Sequence, residues 1–301
     1  MTASNEALQA LLGALRSGEL DFAKPPLETR AAFEAVLATI PVADDLSFAA
    51  GELGGVPALR ISAPGASPDA ALLYLHGGAY VSGSAQGYRG LAAELARAAG
   101  ATGHAIDYRL APEHPFPAAV DDALAAYRAL VAAGVPPRRI LIAGDSAGGG
   151  LALALLVALR DAGDGLPAAA LLISPWADLT GTAASLSGKA AADPSLTAEG
   201  LGAAAAHYLA EASPCDPLAS PALADLSGLP PLLVQVGSAE ILMDDALAVA
   251  TAAGRGDTAV RLEIRPAMPH VWHAFAFMLP EGRQAIETAG AFLAGHLAAG
   301  N

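Results

Sequence analysis

Residues 142–150 read Ile-Ala-Gly-Asp-Ser-Ala-Gly-Gly-Gly, a serine set among glycines between the apolar run "RILIAG" and a second apolar run, "LALALLVAL". Gly144-Asp145-Ser146-Ala147-Gly148 fits G-x-S-x-G, and the motif has the context it requires, a strand before it and a helix after it. So tight a strand-to-helix turn forces the serine into a strained backbone conformation and demands very small neighbours. The hydroxyl is thereby held clear of the sheet. The helix that begins behind it aims free N–H groups and a positive dipole end at any negative charge formed there. A phosphate-cradling turn would want a following lysine, and a dinucleotide site would want G-x-G-x-x-G after the first parallel strand. Neither is present, so Ser146 reads as a nucleophile rather than as part of a flexible turn.

Working outward, short apolar runs recur from Asp45 onward: "LSFAA", "ALRIS", "ALLYL", "ATGHAID", "RILIAG", "AALLIS", "LLVQVG" and "AVRLEIR". The later runs alternate with Ala/Leu-rich stretches of helical period at 91–99, 120–132, 151–162 and 245–253. Strands separated by helices predict an α/β fold with a mostly parallel central sheet of about eight strands, flanked by helices. The first two runs, with Gly54-Gly55 between them, predict an antiparallel hairpin. Ahead of the sheet, Leu8, Leu11, Leu12 and Leu15 share one face of a helix that Gly18 ends, and a second helix follows Pro25-Pro26. From Asp178 to Pro221 no strand is predicted, and a connection that long is usually functional, often a lid.

Composition narrows the function classes. The 301 residues are 54% hydrophobic and 15% charged, enough for a sizeable core. Sixteen Lys and Arg against 30 Asp and Glu give a formal charge of −14, which disfavours nucleic acid, an anionic membrane surface and strongly anionic substrates. Cys215 is the only cysteine, so no internal disulfide is possible. No apolar stretch predicts a membrane span, and the N-terminal residues do not read as a secretory signal. A cytoplasmic protein is expected.

A serine hydroxyl needs a base, and the base needs an orienting acid. With G-x-S-x-G in this setting the chain order is serine, acid, histidine. Of the histidines after Ser146, His270 stands five residues beyond the last predicted strand in a proline-bracketed loop, whereas His273 reads as a surface or packing residue. For the acid, Glu240 comes four residues after Val236, where a loop still crosses the strand end. Asp244 and Asp245 remain contenders, aspartate being the commoner orienting acid. Position favours Glu240, because the two aspartates fall in the first turn of the next helix, where the dipole alone favours them. Directly after "ALLYL" comes His76-Gly77-Gly78-Ala79-Tyr80, a small-residue loop whose N–H groups could approach a carbonyl oxygen.

These motifs together resemble the hormone-sensitive-lipase-like branch of the α/β-hydrolases, the bacterial family IV carboxylesterases. "HGGAY" is similar to that family's HGGG loop, "GDSAGG" to its nucleophile elbow, and "DYRLAPEHPFPAAVDDALAAYRAL", "SPWADLT", "DPSLT" and "PAMPHVWHAF" to further family segments. The resemblance implies Ser146 as nucleophile and His270 as base. The family's D-P-L-x-D motif aligns with residues 240–244, which places Glu240 where the family has aspartate. It implies oxyanion donors at Gly78, Ala79 and Ala147, with Ala79 in place of the third glycine. His76, Asp107, Arg109 and Asp145 would support the site, and a cap would be built from about residues 1–45 and 178–221 of a single α/β-hydrolase domain.

In function, the resemblance implies a serine carboxylesterase acting on small neutral esters of short to medium acyl chain through an acyl-enzyme. No metal or organic cofactor is implied. Homodimers are frequent among such proteins, although no interface signature stands in the sequence. Trp176, Tyr208, Met243, Trp272 and Phe275 are candidate pocket linings or ordinary core. The rival readings are a ligand-binding module on the same fold, which could dispense with His270, and an amidase or lactonase using the same residues.

Overall fold

The computed structural model describes residues 3–18 and 20–299. Two helices lead, α1 (Ala3–Ser17) and α2 (Pro26–Leu37), the second opening on the proline that a first helical turn tolerates. The hairpin β1 (Ser47–Leu53) and β2 (Val56–Ser62) turns at Gly54 and Gly55, both at positive φ. Then come β3 (Ser67–Leu75), α3 (Arg89–Ala99), β4 (Ala101–Ile106), α4 (Ala118–Ala132), β5 (Ile140–Asp145), α5 (Ala147–Ala162) and β6 (Ala169–Ile173). Between β6 and β7 (Leu232–Gly237) lie only α6 (Ser185–Gly188), α7 (Ala198–Leu209) and a short 3₁₀ turn. The chain closes with α8 (Met243–Arg255), β8 (Val260–Arg265) and α9 (Pro280–Ala299).

The eight strands form one sheet in the order β1-β2-β4-β3-β5-β6-β7-β8, antiparallel at the first two pairings and parallel from β4 onward. Successive side chains of β3 serve opposite faces. Leu73 and Leu75 join the core that contains α4, α5 and α8, while Leu72 and Tyr74 join the one that contains α3 and α9. Burial on both faces is why the central strands are apolar runs without alternation.

The first helices and the β6–β7 insertion pack over the carboxyl ends of the strands, where an open α/β sheet holds its site. Arg30 of α2 ties down the leading segment, donating to the carbonyls of Val81 at 2.7 Å and Ala111 at 2.9 Å and pairing with Glu113. Leu8, Leu11 and Leu12 of α1 bury against Met268 and Trp272, on either side of the loop that carries His270. Positions 1, 2 and 19 of the expected cap lie outside the described residues. No helix among the described residues is long and apolar enough to cross a membrane.

Candidate active site

Ser146 sits between β5 and α5 with φ +54° and ψ −122°, the strained conformation expected of a sharp elbow. The surroundings over-determine it. A Cβ on Gly144 would run into the backbone of Gly148, and one on Gly148 would run into the carbonyl of Leu75. The Ser146 N–H donates to the Ile173 carbonyl at 2.8 Å and its carbonyl accepts from Trp176 at 2.9 Å, so the turn is bonded to the neighbouring strand end.

The loop of residues 76–80 lies next door because β3 pairs directly with β5. Gly78 has φ +116°, and the backbone N–H groups of Gly78 and Ala79 enter no hydrogen bond among the described residues. Ala147, as the first residue of α5, has an N–H without an intrahelical acceptor. Ala79 adopts φ +55°, a left-handed conformation normally left to glycine. His76 and Asp145 support this loop from beneath. His76 stacks between Tyr88 and Tyr108, and Asp145 accepts from the Tyr74 hydroxyl at 2.5 Å and the Gly77 N–H at 2.9 Å. Burial pushes the Asp145 carboxyl up to about 6 despite those hydrogen bonds. Asp107 and Arg109 act further out, Asp107 accepting from the Ala85 N–H and Arg109 pairing with Asp122.

After β7, Glu240 is wholly buried. Its Oε2 lies 2.7 Å from His270 Nδ1, while Oε1 accepts from Ser174 Oγ at 2.8 Å and the Gly237 N–H at 2.5 Å. Burial pushes His270 down, but the Glu240 hydrogen bond and charge, aided by Asp193 and Asp145, outweigh it, and its pKa is raised. The contending aspartates face elsewhere. Asp244 accepts from the Ser185 N–H at 2.8 Å, and Asp245 from the N–H groups of Ala177 and Asp178, both at 2.9 Å. They fasten the insertion to α8. His273 is buried, with Nε2 2.9 Å from Gln235 Oε1, so it packs and does not lie on the surface.

Ser146, Gly78, Ala79 and His270 line one cavity of about 90 Å³, whose remaining walls are nearly all apolar. Those walls decide between lining and core for the five candidates. Of the five candidate linings only Phe275 takes part; Trp176 and Tyr208 pack on Tyr80, Met243 on the main core, and Trp272 on α1. The lining comes instead from Leu15, Phe22, Phe33, Leu37 and Ile40 of the leading segment and Leu196 and Leu201 of the insertion. Two supporting residues carry no signal in the sequence beyond their motifs. Ser174, in "SPWADLT", grips Glu240. Asp193, in "DPSLT", binds the N–H groups of Ser195, Leu196 and Ile241, each at 2.9 Å, and so links the insertion to the residue after Glu240.

A serine elbow, a buried carboxylate–imidazole pair and a loop of free N–H groups at the carboxyl ends of a mostly parallel sheet define the α/β-hydrolase class. A family model described as alpha/beta hydrolase fold matches residues 72–274. The chain is 57% identical over 222 residues to an acetyl-hydrolase of Streptomyces hygroscopicus, covering 74% of each. It is 47% identical to an esterase from the bacterial hormone-sensitive lipase (HSL) family, with TM-score 0.93 over 97% of this chain and 98% of the other. A crystal of EstE5 soaked with p-nitrophenyl butyrate gives TM-score 0.92 at 44% identity, covering 97% and 99%. The chain belongs to the hormone-sensitive-lipase family of α/β-hydrolase esterases, a family of serine ester hydrolases.

Proposed function

We propose that Ser146, His270 and Glu240 form a catalytic triad that hydrolyses small neutral esters of short to medium acyl chain. Ser146 Oγ attacks the ester carbonyl while His270 Nε2 takes its proton. Glu240 holds the ring by Nδ1 and stabilises the imidazolium that forms. The N–H groups of Gly78, Ala79 and Ala147 receive the oxyanion, and His270 returns its proton to the leaving alcohol. Water, activated by the same histidine, releases the acid from the acyl-enzyme.

One observation carries this reading above the others: His270 is bound to a buried carboxylate by Nδ1, at 2.7 Å, while lining one cavity with Ser146. The small apolar chamber supports a short acyl chain, and the acidic surface supports a neutral substrate. The soak of the related EstE5 with a butyrate ester is consistent with that class. We assign residues 1–45 and 178–221 as the cap of one hydrolase domain, since their side chains supply most of the apolar lining.

The test is hydrolysis of chromogenic esters from acetyl to dodecanoyl by wild type, Ser146→Ala, Glu240→Gln and Asp244→Asn. Turnover should vanish in the first variant, fall steeply in the second and survive in the third. The opposite order for the two acids would transfer the orienting role to Asp244. A well-folded wild type without turnover on any ester would sink the proposal.

A further inference from the structure

Beside the reaction cavity runs a larger groove of about 530 Å³. It opens between α3 and the first turns of α9, under residues 40–43 and against residues 273–277. Its volume falls in the range of small-molecule sites, roughly 300–1,000 Å³, whereas the reaction cavity is well below it. Ile40 and Ala274 line both cavities, so these two side chains form a shared wall.

The groove's chemistry selects its guest. Val42, Leu91, Phe277 and Ile286 give it an apolar interior, and Phe277 stands half exposed at 50%. The charges that line it balance, Glu94 and Glu287 against Arg97 and Arg283, with Arg97 already paired to Asp45 at 2.6 Å. His273 in the wall adds no charge: Nε2 is engaged by Gln235, and burial pushes its pKa down to about 3. A neutral, largely apolar group fits this lining, and an ion does not.

Position decides which part of a substrate arrives there. A leaving alcohol takes its proton from His270, so it must stand on the histidine's side of Ser146, while the carbonyl oxygen faces Gly78 and Ala79. Ala274 belongs to the same segment as His270, four residues on. The Ala274 half of the shared wall thus stands on the side of the site that handles the alcohol, and Ile40 of the leading segment completes it.

We propose that this groove is the subsite for the alcohol portion of the ester, reached across Ile40 and Ala274 by neutral apolar alcohols too large for the reaction cavity. The proposal rests on the ester-hydrolase reading above and adds the class of leaving group.

Ala43 is exposed and lines the groove but not the reaction cavity, so Ala43→Trp plugs the groove from outside. The experiment compares kcat/KM for ethyl acetate and 1-naphthyl acetate, and for ethyl esters of increasing acyl length. In Ala43→Trp the naphthyl-to-ethyl ratio should fall by about tenfold, chiefly through KM, and in Ile40→Ala it should rise. An unchanged ratio in both variants, or a loss that follows acyl length at constant alcohol, would overturn the assignment. Fluorescence titration of Ser146→Ala with 1-naphthol reads the groove without turnover, and Ala43→Trp added to it should weaken binding. Absence of naphthol binding sinks the groove; binding without ester turnover by wild type sinks the esterase reading and leaves the groove an alcohol site.

Discussion

Oε2 of Glu240 stands 2.7 Å from Nδ1 of His270, and Oε1 of the same carboxylate is held by Ser174 and the Gly237 N–H. The glutamate is therefore fixed at Oε1, which leaves Oε2 aimed at the ring. Its longer side chain reaches the imidazole from position 240 although two aspartates stand four and five residues later. Those aspartates are already committed to backbone N–H groups of the insertion.

Under the proposed mechanism the pair sets the acid limb of the pH–rate profile. In the proposed triad His270 is the base and must be neutral, and its pKa is raised above the ordinary 6.5. Activity should therefore fall as pH drops through a midpoint above 6.5. Glu240→Gln removes the charge that favours the imidazolium, so the midpoint should move to lower pH while kcat drops by about 10³- to 10⁴-fold. Measuring kcat/KM from pH 4 to 9 for both proteins checks this, and a limb that stays in place would refute the assigned cause.

Asp245 predicts a stability effect separable from catalysis. Burial raises its carboxyl from 3.8 to about 7, against the pull of the Ala177 and Asp178 N–H groups. Between those values the native state holds a proton that the unfolded chain releases. Its contribution is thus complete below about pH 4 and is lost as pH rises through about 7. Asp245→Asn keeps a carbonyl acceptor for both N–H groups and cannot ionise. It should be stabilised relative to wild type by on the order of 2 kcal/mol at pH 8 and show little difference near pH 4. Thermal melts at the two pH values measure it.

The proposed oxyanion loop tests the substitution of alanine for glycine. A left-handed L-residue costs about 1–2 kcal/mol, and glycine returns part of that gain to the unfolded chain. Ala79→Gly should raise stability by up to about 1 kcal/mol and leave kcat intact, because the N–H donor remains. Gly78→Ala is the contrasting case. At φ +116° its Cβ would strike the Ser82 carbonyl, so kcat should fall by about 10²- to 10³-fold as the donor is displaced. Denaturant titration and esterase assay of the two variants side by side decide it.

Much of this arrangement is legible from residue order. Strands buried on both faces read as uninterrupted apolar runs, and all eight predicted runs are strands. Ser146, Glu240 and His270 can be placed because each follows a strand whose end points to the same edge of the sheet. The strand order β4-β3-β5 cannot be read, since a crossover leaves no local mark on either strand. The cavity walls escape the sequence for a related reason. Trp176 and Leu37 are both large and apolar, and nothing in the sequence tells which faces the core and which the chamber. Ser174 is equally silent, because its role depends on φ +44° and on a contact with a residue 66 positions away.

Ser174 accordingly supplies the last prediction. Its Oγ donates to Glu240 and also accepts from the Val271 N–H at 3.3 Å, so it braces both the acid and the residue after His270. Ser174→Ala leaves one oxygen of a buried carboxylate with the Gly237 N–H alone. The lost bond should cost about 1–3 kcal/mol of stability. If Ser174 acts only by packing, kcat and its pH profile will stay as in wild type. If it positions the carboxylate, the charge is less well neutralised at Oε1 and draws the imidazolium more strongly. The acid limb then moves to higher pH and kcat falls by about tenfold, with Ser174→Thr restoring part of both. Profiles of the three proteins, taken with an acetyl ester, separate the two roles.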